Sequence, residues 1–154
     1  MTIATRSATT TWEGTLASGS GELDCDSGAL NGHQVTWASR TERPNGMTSP
    51  EELCAAAHSS CFAMAFALIL SEAGVQPGRS DVSSSVQLED VDGLPTITTA
   101  QLNVRASVPG IEQRRFDELI DQAAALCPVS RLFAGASVTV TAELVDADVS
   151  PASR

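Results

Sequence analysis

The 154-residue chain has few basic residues: 9 lysines and arginines stand against 19 aspartates and glutamates, giving a net charge of −10. Nucleic acids and anionic membrane surfaces bind positively charged patches, so this balance argues against both as partners. Hydrophobic residues nonetheless make up 42% of the chain, which indicates a packed globular core and not disorder. A chain of this length can bury such a core without disulfides.

Targeting and membrane segments are also lacking. Residues 1–13 contain no apolar core of the kind that a secretory signal requires. The longest uninterrupted apolar run, residues 61–70, is too short to cross a bilayer. We therefore expect a cytoplasmic protein with no membrane partner, in a compartment where structural disulfides are rare.

Paired metal ligands are absent as well. The chain has four cysteines, two histidines and no CxxC pair. Structural zinc sites show paired ligands at short spacing, so we expect no metal and no other cofactor. The lack of CxxC also argues against a thiol-disulfide oxidoreductase without peroxidase activity. His58 lies one helical turn before Cys61, where it either tunes the thiol or is a hydrogen-bonded interior residue.

Periodicity and turn signals predict one α+β domain over residues 1–154, with loose tails at residues 1–8 and 147–154. Its elements follow in the order βββ-α-ββ-α-β, with a largely antiparallel sheet. Strands are expected at residues 9–14, 21–25, 34–39, 81–91, 96–108 and 137–145. An amphipathic helix is expected at residues 111–126, and Pro128 starts a short second helix.

The longest predicted element is a helix of about 23 residues. Ser49 is a suitable N-cap, Pro50 fits the first helical position and Glu52 fits the capping-box position. Gly74 provides a C-cap. The helix is apolar nearly all round over residues 55–70, so we expect it to be buried on most faces.

Residue chemistry alone separates the four cysteines only in part. Cys25 lies between two aspartates, whose charge disfavours a thiolate, and Cys54 occupies a position where a small apolar side chain would pack. Cys127 precedes Pro128 and so lies near a helix N-terminus, which favours a thiolate. In the middle of the apolar helix, Cys61 is either a core residue or a nucleophile.

Two cysteine-containing stretches resemble the OsmC/Ohr family of hydroperoxide reductases. Residues 48–64, TSPEELCAAAHSSCFAM, are similar to the central-helix signature of the family, and VPGI followed by ALCPVS is similar to its second cysteine motif. DSGALN at residues 26–31 and SRTE at residues 39–42 resemble the OsmC branch in particular. The likeness runs from about residue 11 to residue 145. Together with strand and helix order, it implies the OsmC-like α+β fold.

This resemblance implies the catalytic residues and the reaction. Cys61 matches the peroxidatic cysteine and Cys127 the resolving cysteine. Glu51 matches the active-site carboxylate, and Arg40 matches the active-site arginine, with Arg43 as the nearby competitor. The implied activity is reduction of organic hydroperoxides, and less well of hydrogen peroxide, through a Cys61 sulfenate that Cys127 converts to a disulfide. A dithiol reductant, such as a lipoylated protein or another cellular dithiol, would restore both thiols.

Helix geometry bears on how these residues can meet. Glu51 lies ten residues before Cys61, which is ~15 Å along a straight helix, so it cannot touch Cys61 of its own chain. Two copies of the helix crossing antiparallel at residues 55–57 would bring Glu51 of one chain near Cys61 of the other. The resemblance implies the same arrangement, an intertwined homodimer with active sites at the subunit interface.

One rival function belongs to a different class. The same fold and cysteines would suit a non-enzymatic stress protein that senses redox state or binds an apolar ligand. Turnover distinguishes the two functions, because a sensor is oxidised once whereas a peroxidase cycles with a dithiol.

Overall fold

Six strands and four helices are formed by residues 1–146, the part of the chain that the computed structural model describes. The tail predicted at residues 147–154 lies outside the described residues. In chain order the elements are β1 Ala8–Glu13, β2 Ser20–Cys25, β3 His33–Val35, α1 Trp37–Thr41, α2 Pro50–Glu72, β4 Ser80–Val91, β5 Leu94–Ala106, α3 Gln113–Leu126, α4 Pro128–Leu132 and β6 Ser137–Leu144. The predicted α+β class is therefore confirmed. The chain divides into two compact units, Met1–Leu53 and Cys54–Arg154, and a single domain over the whole chain stays a prediction.

The first unit contains a three-stranded antiparallel sheet in the order β1-β2-β3. The strand predicted at residues 34–39 is wrong beyond Val35, because α1 begins at Trp37. Thr36 and Ser39 form a reciprocal capping box: the Thr36 hydroxyl accepts from the Ser39 N–H at 3.0 Å, and the Ser39 hydroxyl accepts from the Thr36 N–H at 2.9 Å. These bonds satisfy donors that a strand would leave to a neighbour. The capped turn places Arg40 at the end of a helix.

The second unit contains a separate sheet in the order β4-β5-β6. β4 and β5 form an antiparallel hairpin whose two-residue turn is Asp92-Gly93, with φ of 55° and 82°. Positive φ at both positions is the geometry that hairpin twist favours, so the turn is tighter than the four residues predicted. β6 pairs parallel to β5, because α3 and α4 carry the chain back across the unit before β6 begins.

The core of the second unit is formed by α2, α3 and β5. Its larger side chains are Phe62, Phe66, Leu70, Leu102, Val104, Phe116, Leu119 and Ile120. Those of α2 recur every four residues, and those of α3 follow the 3.6-residue period, which confirms the predicted apolar face of α3. Phe66 stacks on Phe62 at 6.4 Å between ring centroids and meets Phe116 edge-on at 6.0 Å.

Both predicted caps of α2 are confirmed. The Ser49 hydroxyl accepts from the Glu52 N–H at 3.1 Å. At the other end Gly74 has a φ of 68°, and the Val75 N–H reaches back to the Leu70 carbonyl at 2.9 Å. This is the Schellman arrangement, which requires a left-handed residue that glycine adopts without a Cβ clash.

The burial of α2 differs from the expectation. Only one face of the helix is buried, and it consists of His58, Phe62, Ala65, Phe66 and Leu70. Met64 is 67% exposed and Leu68 48% exposed, on a face whose other exposed residues are small: Ala56, Ala57, Ser60 and Ala67. Burial on most faces is therefore wrong for the single chain, which leaves an apolar helix face uncovered.

By length and composition alone, α2 could cross a membrane, and it is the one such helix among residues 1–146. The apolar run at residues 61–70 is too short for this, but the whole helix is not. A core helix passes the same test, and α2 supplies three of the large core side chains above.

Candidate active site

Two of the four cysteines lie side by side in the second unit. Cys61 is in the middle of α2, and Cys127 is the residue between α3 and α4. A proline cannot continue the hydrogen-bond ladder of a helix, so α3 ends at Leu126 and Pro128 opens α4, which leaves Cys127 at the junction. Cys61 packs against the buried cluster that contains Cys127, each thiol affects the pKa of the other, and both are free thiols.

These thiols differ in exposure and in pKa. Cys61 is partly exposed, whereas Cys127 is fully buried. Burial raises the pKa of the Cys61 thiol; the Val129 amide opposes this rise, and the neighbouring Cys127 adds to it. Burial also acts against a Cys127 thiolate, but the polar groups of Ser130, Cys61 and Val129 together outweigh it, so the pKa of Cys127 is lowered. Burial therefore disfavours a Cys61 thiolate in the isolated chain, and a positive charge nearby would favour it.

His58 is fully buried next to this pair, and both of its ring nitrogens are hydrogen-bonded. Nε2 lies 2.9 Å from the Ser130 hydroxyl, and Nδ1 lies 3.2 Å from the Ser84 hydroxyl. Burial lowers the pKa of His58, so the ring is neutral at neutral pH. Of the two alternatives for this residue, the hydrogen-bonded interior histidine describes its contacts, which go to Ser130 and not to Cys61.

Ser84 and Ser130 were not identified from the sequence. Ser130 has a local signal, since it stands three residues after Cys127, where its N–H meets the capping sulfur at 3.5 Å. Ser84 has none: 26 residues separate it from His58, and only the packing of β4 against α2 brings the two together.

The first unit contains a partly buried ion pair. Arg40, in the last turn of α1, donates from Nη2 to the Glu51 carboxylate at 2.7 Å and from Nε to both carboxylate oxygens at 3.1 Å. The Glu51 side chain is 11% exposed and that of Arg40 28%. The hydrogen bond to Glu51 raises the pKa of Arg40, and the guanidinium lies 5.8 Å from the Trp37 ring centroid.

This geometry leaves part of the guanidinium available. Nη1 of Arg40 has no acceptor within the described part of the chain, so its two protons can serve an anion. Arg43, the competitor for the same role, is exposed and belongs to no ion pair among residues 1–146. The contacts therefore favour Arg40 over Arg43.

The remaining cysteines lie apart from this arrangement. Cys25 is in the first unit, with its sulfur 3.3 Å from the Ser27 hydroxyl and 3.4 Å from the Leu30 amide. The Ser27 bond, with the Leu30 amide, lowers the pKa of Cys25, so the expected dominance of the flanking aspartates is wrong. Cys54 is half-buried in the first turns of α2. Across residues 1–146 no group of three histidine, cysteine, aspartate or glutamate side chains is placed to hold a metal ion.

Comparison with known proteins gives consistent matches. Residues 43–143 match the OsmC family, described as OsmC-like protein. Peroxiredoxin OsmC of Escherichia coli (strain K12) is 42% identical over 121 residues, which is 79% of this chain and 84% of the relative. The organic hydroperoxide resistance protein of Xanthomonas axonopodis pv. citri (strain 306) is 31% identical over 96 residues, 61% of this chain and 66% of the relative. The crystal structure of the organic hydroperoxide resistance protein OhrB of Bacillus subtilis superposes with a TM-score of 0.71 at 22% identity, over 92% of this chain and 100% of that one. By sequence and by fold, the chain belongs to the OsmC/Ohr family.

Proposed function

We propose that this protein is a thiol peroxidase that reduces organic hydroperoxides to alcohols. The observation that carries the proposal is the packing of a partly exposed thiol, Cys61, against the buried cluster that contains a second thiol, Cys127. A peroxide can reach the Cys61 thiol, and the Cys127 thiol lies nearby. The names of the relatives, a peroxiredoxin and an organic hydroperoxide resistance protein, support the same chemistry.

The proposed cycle has three steps. The Cys61 thiolate attacks one peroxide oxygen, the O–O bond breaks, and the alcohol leaves after taking up a proton, so that Cys61 becomes a sulfenic acid. Cys127 then attacks the Cys61 sulfur, which forms the disulfide and releases water. Finally, an external dithiol reduces the disulfide by thiol exchange and is itself oxidised.

Arg40 and Glu51 are the proposed source of the charge that Cys61 needs. Burial raises the pKa of Cys61, and an arginine placed beside the sulfur would favour the thiolate while remaining charged itself. Glu51 would hold the guanidinium in place through the bonds described above. Because ten helical residues separate Glu51 from Cys61, we assign the Arg40–Glu51 pair and Cys61 to different subunits of a homodimer.

The uncovered face of α2 supports the dimer. Met64 and Leu68 are too exposed for an apolar helix face of a monomer. The small residues that share this face would allow two helices to approach closely. A second copy of the chain, related by a twofold axis, would cover each face with the other.

Steady-state consumption of cumene hydroperoxide with a dithiol reductant tests the reaction. The native chain is compared with Cys61→Ser and Cys127→Ser, and with Cys25→Ser and Cys54→Ser as matched controls that remove a thiol elsewhere. We expect turnover that disappears in Cys61→Ser, falls in Cys127→Ser and persists in both controls. A second series with hydrogen peroxide is expected to be slower. No turnover in the native chain, or full turnover in Cys61→Ser, would contradict the proposal.

Mixing inactive subunits tests the shared site. Cys61→Ser supplies an intact Arg40, and Arg40→Met supplies an intact Cys61. If the site is shared, one of the two sites in each mixed dimer is complete, and random reassociation restores about one quarter of the native activity. Sites contained within one subunit would give no restoration, and sedimentation as a fully active monomer would exclude the arrangement altogether.

The second candidate function is redox sensing without turnover. The lowered pKa of the buried Cys127 favours it, because a poised thiolate next to a second thiol also suits a single oxidation event. In the turnover assay a sensor would consume one equivalent of peroxide per subunit and then stop, even with dithiol present. The cytoplasmic location and the identity of the cellular dithiol stay predictions.

A further inference from the structure

The tryptophan at the start of α1 makes a contact that no step of the proposed cycle uses. Trp37 is the first residue of α1 and Arg40 follows three residues later, a spacing that places both side chains on one face of the turn. The Arg40 Cζ lies over the indole ring, 5.8 Å from its centroid, within the ~6 Å range of a cation–π interaction. Among residues 1–146 this is the one such contact.

Hydrogen bonds around α1 hold its backbone beside the start of α2. The Ser39 hydroxyl lies 3.0 Å from the Thr48 carbonyl oxygen, and the Thr48 N–H donates to the Gln34 carbonyl at 3.0 Å. Thr48 precedes Glu51 by three residues. The backbones of Arg40 and Glu51 are therefore fixed near each other, but the long Arg40 side chain keeps several rotatable bonds, whose freedom other contacts must restrict.

Two contacts restrain the Arg40 side chain, and they act in different directions. Glu51 accepts from Nε and Nη2, and the N–H groups of a guanidinium point outward in its own plane. Trp37 contacts the guanidinium through the face of its indole ring. Bonds along one edge leave the carboxylate and the guanidinium free to swing together about the Glu51 side-chain bonds, and a ring held by the α1 backbone opposes that motion. The direction of Nη1 therefore depends on Trp37 as well as on Glu51.

We propose that Trp37 is a positioning residue for Arg40, whose indole ring keeps the free Nη1 directed at the anion that Arg40 serves. The inference rests on the proposed function, in which that anion is the thiolate of Cys61 of the partner subunit. The Trp37 ring is half-buried, and a partly desolvated cation–π contact is stronger than a fully exposed one. Trp37 touches no reacting atom in this scheme and acts through Arg40.

A double-mutant cycle in urea unfolding tests the contact without any catalysis. At one fixed protein concentration, Trp37→Leu and Arg40→Met are expected to be coupled by a roughly two- to fivefold factor in the unfolding equilibrium constant, the size of a cation–π contact at a partly exposed site. Trp37→Phe keeps an aromatic face and should keep most of the coupling. Trp12→Leu, which removes the other tryptophan of the chain, is the matched control and should show none. Absence of coupling between Trp37 and Arg40 would overturn the proposal.

Alkylation of Cys61 by iodoacetamide, quantified on its peptide by mass spectrometry, tests the positioning. This reaction needs a thiolate but no turnover. Trp37→Leu is expected to slow it roughly two- to fivefold at neutral pH, Trp37→Phe should restore most of the rate, and Trp12→Leu should leave it unchanged. In an Arg40→Met background Trp37→Leu should have no further effect, because the ring acts through Arg40. An unchanged rate in Trp37→Leu, or an undiminished effect without Arg40, would overturn the proposal.

Peroxide specificity separates positioning from direct contact with the substrate. A ring that acts through Arg40 changes the Cys61 thiolate, so Trp37→Leu should slow sulfenic acid formation by the same factor with cumene hydroperoxide and with hydrogen peroxide. A loss confined to cumene hydroperoxide would mean that the ring contacts the apolar group of the substrate, which would overturn the positioning role. Because unfolding and alkylation need no peroxide, a native chain without turnover would refute the proposed function and leave both of those tests in place.

Discussion

The Arg40–Glu51 pair is expected to contribute measurably to stability, although most ion pairs of its kind do not. The pair has three charge-assisted hydrogen bonds of 2.7, 3.1 and 3.1 Å, and its side chains are 28% and 11% exposed. Hydrogen bonds to charged groups contribute about 1.5–3 kcal/mol, and limited exposure reduces screening by water and salt. We expect a coupling free energy in this range between Arg40→Met and Glu51→Gln in a double-mutant cycle.

The chain offers a control pair with almost the same geometry. Arg79 donates to Asp81 through Nε and Nη2 at 2.7–3.0 Å, but these side chains are 57% and 51% exposed. Water screens such a pair, so we expect no resolvable coupling between Arg79→Met and Asp81→Asn. Comparing the two coupling free energies separates the effect of burial from that of hydrogen-bond geometry.

Urea unfolding at one fixed protein concentration measures both cycles, because the apparent stability of an oligomer depends on concentration. Added salt is expected to leave the Arg40–Glu51 coupling nearly unchanged. Equal couplings in the two cycles, or a value near zero for Arg40 and Glu51, would refute the reasoning that burial decides the contribution.

Three further predictions concern the stability of the second unit. Phe66→Ala is expected to lower the free energy of unfolding in urea by about 3–5 kcal/mol, because its 1%-exposed ring contacts two other phenylalanines. Leu94→Ala, at an exposed position, should lower it far less. Similar losses of stability in the two variants would contradict the assignment of Phe66 to the core. Gly74→Ala is expected to cost about 1–2 kcal/mol because its φ of 68° is left-handed, and Gly135→Ala, where an added Cβ meets nothing within 4 Å and φ is not left-handed, is the control that should be tolerated. Burial lowers the pKa of His58 below its ordinary 6.5, so the unfolded chain binds more protons at this residue than the folded chain does. The free energy of unfolding should therefore fall as pH drops below about 6.5. His58→Gln should lack this part of the pH dependence, and an identical pH profile for the variant would refute the prediction.

Capping residues and helical periodicity predicted much of the fold, because each depends only on residues a few positions apart in the chain. Ser49 and Gly74 define the ends of α2 through bonds to residues three to five positions away, and the apolar face of α3 depends only on helical period. The error at residues 34–39 has the same origin: Thr36 and Ser39 form a local cap that outweighs the strand-like composition around it. Strand pairing was harder, since the parallel β5–β6 register depends on how α3 packs.

In the candidate site, too, local motifs could be read from the sequence, whereas contacts between distant residues could not. The motifs predict Cys61 and Cys127 as the site cysteines, and Pro128 explains why Cys127 stands at a helix junction. The resemblance already favours Arg40 over Arg43, and the Glu51 contact supports that preference. No pattern in the sequence pairs Ser84 with His58, because that contact exists only once β4 lies against α2.

The parallel pairing of β5 with β6 has a consequence for the newly made chain. Cys127 lies within the long connection between these strands, so it reaches Cys61 only after α3 and α4 have been synthesised and have packed against α2. Closing such a connection costs chain entropy before any contact compensates, which makes this a late event in folding. A chain that meets peroxide during synthesis would expose Cys61 without its neighbour, and the sulfenic acid would then be open to irreversible oxidation. We expect Cys61 to be most vulnerable to oxidation in the interval between synthesis of α2 and docking of α3 and α4.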